Sequence, residues 1–337
     1  METRWATSPG IALMGADVPS RVTAWARAAE RAGLGSVWII EDYFHPGAYA
    51  LAAAAAAVTE RLAIGLGVVN PYTRHPALLA METAALAGIA PGRVVLGLGS
   101  SNRRWIEAQM GIPFKAPLGG LRESVEIVRR LLAGERVTFR GETFTVDDVA
   151  LEWRPPEAVP VLLGVKGPKA LRMAGEIADG VHCSVLASPG HVRRVRQTAG
   201  AGRAGFTVLA YVIMAVSPDG PAARASVRPL IARYLGALHG QSILLDAGLG
   251  SDRTQPFREA FGRAADLVDD ELIDALAVAG TPEHCRRQLA RWAEAGLDAP
   301  IAVLPRGADM MEQLTRCAGT LVPAWRELIG TSPTRTS

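Results

Sequence analysis

The chain has 337 residues, of which 49% are apolar and 20% are charged, a balance typical of a protein that buries a large core. Its net charge is only +3, and its arginines are scattered rather than grouped with aromatic residues, which argues against nucleic acid as a partner. Three widely spaced cysteines form neither a disulfide framework nor a metal-ligand pattern, and no apolar run reaches the roughly 18 residues that span a bilayer. We therefore expect a cytoplasmic protein with no membrane contact.

Short apolar runs alternate with helical segments along most of the chain, a pattern typical of parallel strands joined by crossover helices. The alternation predicts one (β/α)8 barrel, or TIM barrel, as a single domain over residues 1–337. Strands are predicted at 10–14, 36–40, 62–69, 94–98, 161–164, 180–185, 208–216 and 301–304. Helices are predicted between them at 20–32, 76–87, 121–132, 168–178, 222–238 and 281–295.

Two segments interrupt the alternation. Residues 135–153 have alternating apolar positions around Arg140-Gly141-Glu142, which predicts a β-hairpin inserted before the fifth strand. Residues 240–270 have no clear period, so we expect a loop excursion or a lid near the barrel mouth.

The residues that follow each strand are the candidates for function, because a barrel of this kind places its active site at the C-terminal strand ends. Glu41 and Asp42 end the second strand and enter a loop with Tyr43, Phe44 and His45. Carboxylates in such a loop are candidate catalytic acids or bases, since their pKa values shift readily there. The alternative is a pair of ordinary surface carboxylates at a helix start.

Two glycine-bearing loops follow the fourth and fifth strands. Together with adjacent lysines, their backbone N–H groups form a plausible cradle for a phosphate, and the second loop runs directly into a helix start. The alternative is that the glycines only let the chain turn. The first loop contains Gly99, Ser100 and Ser101, and the second contains Gly164, Val165, Lys166, Gly167, Pro168 and Lys169.

The segment after the third strand has two residues with open interpretations. His75 precedes Pro76 and could cap the following helix. Arg74 could be an ion-pair partner or a contact to a cofactor.

The string Asn70-Pro71-Tyr72-Thr73-Arg74-His75-Pro76, preceded by Gly67-Val68, resembles the signature of the luciferase-like oxidoreductases that use the deazaflavin coenzyme F420. Methylenetetrahydromethanopterin reductase typifies this family. Four further segments, at 41–44, 93–99, 164–169 and 174–180, are also similar to it. The resemblance extends in order from about residue 10 to about residue 310.

The resemblance implies a barrel of the bacterial luciferase type with F420 at its mouth. The deazaflavin ring would lie against a bulge in the third strand, with a non-prolyl cis peptide between Gly67 and Val68. Asn70, Thr73 and Arg74 of the string belong to the same implied cofactor site. Glu41 or Asp42 would lie near the ring edge, and the resemblance does not decide between them.

The resemblance also implies that the two glycine loops hold the cofactor phosphate and its anionic tail. Gly99, Ser100, Ser101 and the segment 164–169 would supply the contacts. Lys166 and Lys169, with Arg103 and Arg104, would supply positive charge.

Two departures from the methanopterin reductases bear on the substrate. Those enzymes carry an acid within the first strand, where this chain has Ala12, and an aspartate after the glycines of the fourth strand, where it has Ser101 and Asn102. Losing these acids argues against the methanopterin reaction. We therefore carry over the fold and the cofactor but not the substrate, whose pocket we expect among the loops after strands one, two and four and the segment 240–270.

Three functions follow as hypotheses. The leading one is hydride transfer between F420 and a small organic substrate such as an imine, an enone or an alcohol. The first alternative is a monooxygenase that uses reduced FMN on the same fold, and the second is a non-catalytic protein that binds a flavin or deazaflavin. The resemblance also implies a homodimer, for which the apolar helix face at 78–85 is a candidate, although such a face is more often barrel core.

Overall fold

The computed structural model describes residues 4–14, 19–261, 263–307 and 309–330. Eight parallel strands close into a ring in the order β1-β2-β3-β4-β7-β8-β9-β11, and β11 pairs again with β1. The prediction of a TIM barrel is therefore confirmed. In chain order the strands are β1 (Gly10–Leu13), β2 (Ser36–Ile39), β3 (Ala63–Val69), β4 (Val94–Leu98), β5 (Val137–Arg140), β6 (Thr145–Val149), β7 (Val161–Leu163), β8 (Gly180–Cys183), β9 (Thr207–Val216), β10 (Ala277–Gly280) and β11 (Ala299–Val303).

Helices surround the ring. Several begin with a proline in the first turn, where the missing N–H costs nothing, and several are capped by a Ser, Thr or Asp side chain. They are α1 (Arg4–Thr7), α2 (Val22–Arg31), α3 (Ala48–Ala56), α4 (Pro76–Ile89), α5 (Pro117–Leu132), α6 (Pro168–Ile177), α7 (Pro189–Thr198), α8 (Gly220–Ala237), α9 (Ser242–Leu245), α10 (Ser251–Glu259), α11 (Asp270–Leu276), α12 (Pro282–Glu294) and α13 (Met310–Gly330), with 3₁₀ turns at Pro19–Arg21 and Ala265–Leu267 and a π-helical segment at Arg104–Gln109.

All eight predicted strands are present, with small shifts at their ends. The prediction missed β10. This strand pairs with the C-terminal part of β9, from Ala277 opposite Ile213 to Gly280 opposite Val216. Its sequence, AVAG, is too short and too rich in small residues to signal a strand. β10 lies beside the barrel as a ninth strand of the same sheet.

The two interrupting segments have different outcomes. In the first, β5 and β6 form an antiparallel pair, and the Glu123 carboxylate of α5 accepts hydrogen bonds from three turn N–H groups, those of Glu142, Thr143 and Phe144. The second is mostly helical rather than a loop, since it contains α9, α10 and a 3₁₀ turn. Its helices are too short, and α10 too interrupted by Pro256, to show a helical period.

The strands of the ring are almost wholly buried, because one face fills the barrel and the other packs against helices. Within the described ranges no helix is long and apolar enough to cross a bilayer. Trp38 of β2 fills part of the barrel interior, and its indole N–H donates a 3.0 Å hydrogen bond to Ser36 Oγ. A Cβ at Gly65 of β3 would overlap the Trp38 ring, so this layer requires glycine.

We predict that Gly65→Ala lowers the free energy of unfolding by about 1–3 kcal/mol, because the added methyl overpacks a rigid indole. Urea denaturation followed by circular dichroism measures the change. The control is Gly319→Ala in α13, where a Cβ meets no atom and alanine should stabilise the helix by about 0.5–1 kcal/mol. Equal stability of Gly65→Ala and the parent would contradict the prediction.

Candidate active site at the barrel mouth

The C-terminal ends of four neighbouring strands, β2, β3, β4 and β7, bring the predicted site residues to one side of the barrel mouth. The segments that follow them are 41–45, 67–76, 99–102 and 164–169. The loop after β1, which the sequence assigns to the substrate pocket, includes residues 15–18, and these lie outside the described residues.

Both carboxylate oxygens of Glu41 bond to other groups of the protein. Its side chain is 5% exposed, one oxygen forms a 2.6 Å ion pair with Arg74, and the other accepts a 3.2 Å hydrogen bond from the Ala48 N–H. Ala48 is the first residue of α3. Glu41 therefore fixes the start of α3 and the loop after β3.

Asp42 is in a different environment. Its carboxylate has no ion pair and no hydrogen bond to any other part of the chain that the structure describes. Burial raises the pKa of the Asp42 carboxyl, while the positive charges of Arg233, His45 and Arg306 act in the opposite direction. Of the two predicted acids, Asp42 is the one whose oxygens are available to a ligand.

Two tyrosines lie within electrostatic reach of Asp42. Burial, and then the charge of Asp42, raise the pKa of Tyr234 in α8 to about 12, and the same two causes raise the pKa of Tyr211 in β9 well above its usual range. Both hydroxyls therefore stay protonated and can donate hydrogen bonds. The sequence analysis did not select either residue, since each lies inside a strand or helix with no motif around it.

The string after β3 ties two loops together. Asn70 is buried, its Oδ1 accepts hydrogen bonds from the N–H groups of Tyr72 (3.0 Å) and Thr73 (3.1 Å), and its Nδ2 donates to the Tyr43 hydroxyl. The Tyr43 hydroxyl also lies 3.1 Å from Thr73 Oγ1. These contacts hold the loop after β2 against the loop after β3.

Arg74 and His75 also have partners within the protein. Arg74 pairs with Glu41 and with Glu82 (3.2 Å), and its guanidinium lies 5.5 Å from the centre of the Tyr49 ring. Of the two open interpretations of Arg74, the structure favours the ion pair. His75 caps α4, because its Nδ1 accepts a 3.2 Å hydrogen bond from the Ala77 N–H.

The Gly67–Val68 peptide bond is cis, as the resemblance implies, and Tyr43–Phe44 is a second non-prolyl cis bond that the sequence did not indicate. The register between β3 and β4 shifts between Leu66 and Val69. At this point the Tyr211 hydroxyl donates a 2.6 Å hydrogen bond to the Gly67 carbonyl.

The Val68 side chain explains two glycines at the mouth. A Cβ at Gly99 would lie 2.7 Å from Val68 Cγ2, and a Cβ at Gly164 would lie 2.9 Å from Val68 Cγ1. A Cβ at Gly97 would lie 3.0 Å from Cγ1, but its closest contact would be the Leu66 carbonyl oxygen. Packing against Val68 therefore requires glycine at 99 and 164 whether or not a phosphate binds beside them.

The residues after these glycines keep free hydrogen-bond donors. No partner within the described ranges accepts from the backbone N–H groups of Ser100, Ser101, Val165, Lys166 or Gly167. Ser101 has a left-handed backbone (φ 61°). Its Oγ is buried and has no hydrogen-bond partner among the described residues. Gly167 is the N-cap residue of the ten-residue helix α6, and the helix start has no side-chain cap. We call Ser100, Ser101, Val165, Lys166 and Gly167 the donor loop pair.

The positive charge around the donor loop pair differs from the expectation. The Lys166 ammonium donates a 3.0 Å hydrogen bond to Gln241 Oε1, and burial lowers its pKa to about 8. The Ser242 hydroxyl donates to the Lys166 carbonyl at 3.4 Å. Arg103 bonds to Glu107 and to the Phe114 carbonyl, whereas Lys169 is exposed. The ammonium group of Lys166, which belongs to the donor loop pair, is thus held by Gln241, a residue that the sequence did not indicate.

We predict that replacing Glu41 and replacing Asp42 have different effects on the free energy of unfolding at pH 7. Glu41→Gln should lower the free energy of unfolding by about 1–3 kcal/mol, because Arg74 loses a buried charged partner. Asp42→Asn should leave it equal to or above that of the parent, because the aspartate carboxyl has a raised pKa and no partner among the described residues.

The pH dependence of Asp42→Asn follows from the same pKa. Well below pH 3.8 the carboxyl is protonated in both states, and the variant and parent should be alike. As the pH rises from 3.8 through the raised folded-state pKa, the unfolded parent releases its proton first, so the parent loses stability relative to the variant. Urea denaturation over this range measures the difference. Equal losses in both variants at pH 7 would contradict the assignment.

Comparison with known proteins gives the family. The model of the family described as luciferase-like monooxygenase matches residues 1–299. A 5,10-methylenetetrahydromethanopterin reductase of Archaeoglobus fulgidus is 31% identical over 318 residues, which cover 89% of this chain and 94% of the relative. An F420-dependent glucose-6-phosphate dehydrogenase of Beutenbergia cavernae is 38% identical over 178 residues, which cover 49% of this chain and 53% of the relative.

A solved structure agrees with these matches. The coenzyme F420 dependent tetrahydromethanopterin reductase from Methanopyrus kandleri superposes with a TM-score of 0.85 at 26% identity, covering 95% of this chain and 99% of the other. The expected cofactor, F420, is the coenzyme on which two of these relatives depend, the glucose-6-phosphate dehydrogenase and the Methanopyrus kandleri reductase. As the sequence resemblance predicted, the chain belongs to the luciferase-like family of oxidoreductases.

Proposed function

We propose that this chain transfers a hydride between coenzyme F420 and a small organic substrate at the barrel mouth. The observation that carries the proposal is the donor loop pair, which offers five free N–H groups and the orphaned Ser101 hydroxyl beside the end of β3. The names of the relatives supply the identity of the cofactor.

The donor loop pair suits the phosphate of F420. Phosphate oxygens accept hydrogen bonds, and backbone N–H groups next to an uncapped helix start favour an anion. A buried hydroxyl without a partner is costly unless a ligand satisfies it. Ser100, Ser101, Val165, Lys166 and Gly167 would therefore hold the phosphate, and exposed Lys169 would add positive charge.

The deazaflavin ring is assigned to the adjacent surface at Gly67 and Val68. When bound, the cofactor supplies a ring carbon that carries or accepts the hydride. Val68 is fixed there by its packing against Gly99 and Gly164, so it presents a rigid apolar wall. Asn70, Thr73 and Arg74, whose side chains bond to other parts of the protein, would shape the site rather than contact the cofactor through those groups.

We assign the transfer of the accompanying proton to Asp42. Moving a hydride to or from a carbon bonded to oxygen or nitrogen also moves a proton at that heteroatom. The Asp42 carboxyl oxygens have no hydrogen-bond or ion-pair partner among the described residues, and burial raises the carboxyl pKa, which favours uptake of a proton. Glu41 orients the loop through Arg74 and Ala48 and takes no part in the proton transfer.

The two alternatives are less well supported. The family description names monooxygenases, but three relatives that each match over 89% or more of this chain are methylenetetrahydromethanopterin reductases, and a half-length match is an F420-dependent dehydrogenase. An unpartnered acid at the mouth argues against a non-catalytic binding protein. The substrate is not carried over from the methanopterin reductases, because Ala12 and Asn102 replace their acids.

The homodimer and the cytoplasmic location stay predictions. The surface available to a dimer is the outer face of α4, where Leu78, Met81 and Ile89 are each about half exposed. The residues of α4 that face the barrel, among them Leu79 and Leu86, are buried.

We predict that the purified protein binds F420 and has far weaker affinity for FMN. Titration of the apo-protein with each cofactor, followed by fluorescence, measures both dissociation constants. Tight binding of FMN without measurable binding of F420 would overturn the proposed function and favour the monooxygenase.

We predict that Ser101→Ala weakens F420 binding by about tenfold, because the phosphate loses one charge-assisted hydrogen bond. Its stability without cofactor should stay within about 0.5 kcal/mol of the parent, because the hydroxyl has no partner to lose in the part of the chain that the structure describes. The control is Ser226→Ala in α8, whose hydroxyl bonds only to the Ala223 carbonyl and whose loss should not change the affinity. Unchanged affinity in Ser101→Ala would remove this residue from the phosphate site.

A further inference from the structure

Tyr211 lies in β9, within the barrel, and makes a specific contact with the end of β3. Its side chain is buried, and its hydroxyl donates a 2.6 Å hydrogen bond to the Gly67 carbonyl. A Cβ at Gly67 would collide with that hydroxyl. The contact therefore depends on glycine at 67 and on a hydroxyl at 211.

A stack of buried rings fixes the Tyr211 side chain. The centre of its ring lies 4.1 Å from the centre of the His182 ring of β8, and the centre of the His182 ring lies 4.4 Å from that of Trp38 in β2, in an edge-on arrangement. The two His182 ring nitrogens bond to no group in the described ranges, and burial lowers the pKa of His182 to about 3. His182 is therefore neutral at physiological pH, and the stack carries no charge that would disturb the position of Tyr211.

Tyr211 and the glycines of β4 and β7 hold the end of β3 at two points. The tyrosine fixes the Gly67 carbonyl from within the barrel, and Gly99 and Gly164 receive the Val68 side chain beside the donor loop pair. The indole of Trp38 in β2 also lies against this segment, 3.0 Å from the position of a Cβ at Gly67. The position of Val68 thus depends on the Tyr211 hydroxyl, although Tyr211 is a residue of the opposite wall.

We propose that Tyr211 is a positioning residue for the cofactor, because its hydroxyl holds the Gly67 carbonyl and, through it, the Val68 surface under the ring of F420. The inference rests on the proposed function. It concerns how the ring is held, which is separate from how the phosphate is bound.

A fixed wall under the ring should distinguish the two redox states of the cofactor. The hydride-carrying carbon is trigonal in the oxidised ring and tetrahedral in the reduced ring, so the two rings differ in shape. The phosphate is the same in both, and the donor loop pair binds both equally. Only contacts that differ between two states shift the balance between them. Tyr211 should therefore influence the ratio of the two dissociation constants.

The test compares Tyr211→Phe with the parent. Phenylalanine keeps the stack on His182 and removes only the hydroxyl. Oxidised and reduced F420 are titrated anaerobically into each protein, and the ratio of their dissociation constants is expected to change by about twofold to tenfold, the range that one hydrogen bond spans. The control is Tyr49→Phe in α3, which removes a hydroxyl 2.9 Å from Thr83 Oγ1 of α4 and should leave the ratio at the parent value.

The outcomes separate this inference from the proposed function. If the parent binds neither form of F420, the proposed function fails. If the parent binds both and Tyr211→Phe has the same ratio with only a lower melting temperature, Tyr211 is merely structural and the inference is overturned. If Tyr211→Phe does not fold, the ratio is measured in Gly67→Ala, whose methyl displaces the hydroxyl, and an unchanged ratio there overturns the inference too.

Discussion

The packing of Val68 against the strand ends of β4 and β7 is the constraint on which the barrel mouth depends. The Val68 side chain occupies the space that a Cβ at Gly99 or Gly164 would need, so both positions must be glycine. Because these glycines have no side chains, the N–H groups of the residues that follow them are open to a ligand. The packing interpretation and the phosphate interpretation of these glycines are therefore two consequences of one arrangement.

Two adjacent acids have opposite roles because consecutive residues at a strand end face different neighbours. Glu41 meets Arg74 and the start of α3, and these contacts occupy both of its oxygens. Asp42 faces the side of Tyr211 and Tyr234, where no group of the described chain bonds to it. The same short segment thus supplies a brace for the mouth and the acid to which we assign the proton transfer.

The barrel could be predicted from the sequence because eight apolar runs and their intervening helices each carry a periodic signal. β10 and the short helices between 240 and 270 could not, since four residues such as AVAG give no period to detect. For the candidate site, the strand-end rule selected loops that the structure brings to one side of the barrel mouth. It could not separate ligand contacts from internal ones, because an arginine such as Arg74 pairs equally well with a glutamate or with a cofactor. Tyr211 could not be selected for another reason. Both faces of β9 are buried, so the strand is a nearly continuous apolar run in which no single residue marks a site.

The donor loop pair differs in its electrostatics from a cluster of lysines. The ammonium of Lys166 is buried, its pKa is lowered to about 8, and it is held by Gln241 rather than directed freely to solvent. Most of the donors that remain are neutral N–H groups with fixed directions, together with the Ser101 hydroxyl. Such a set recognises an anion by geometry more than by net charge, since each donor must point at an oxygen to contribute. That property suits a site that must hold a cofactor in one orientation while its ring reacts, because rotation of the phosphate would break several bonds at once.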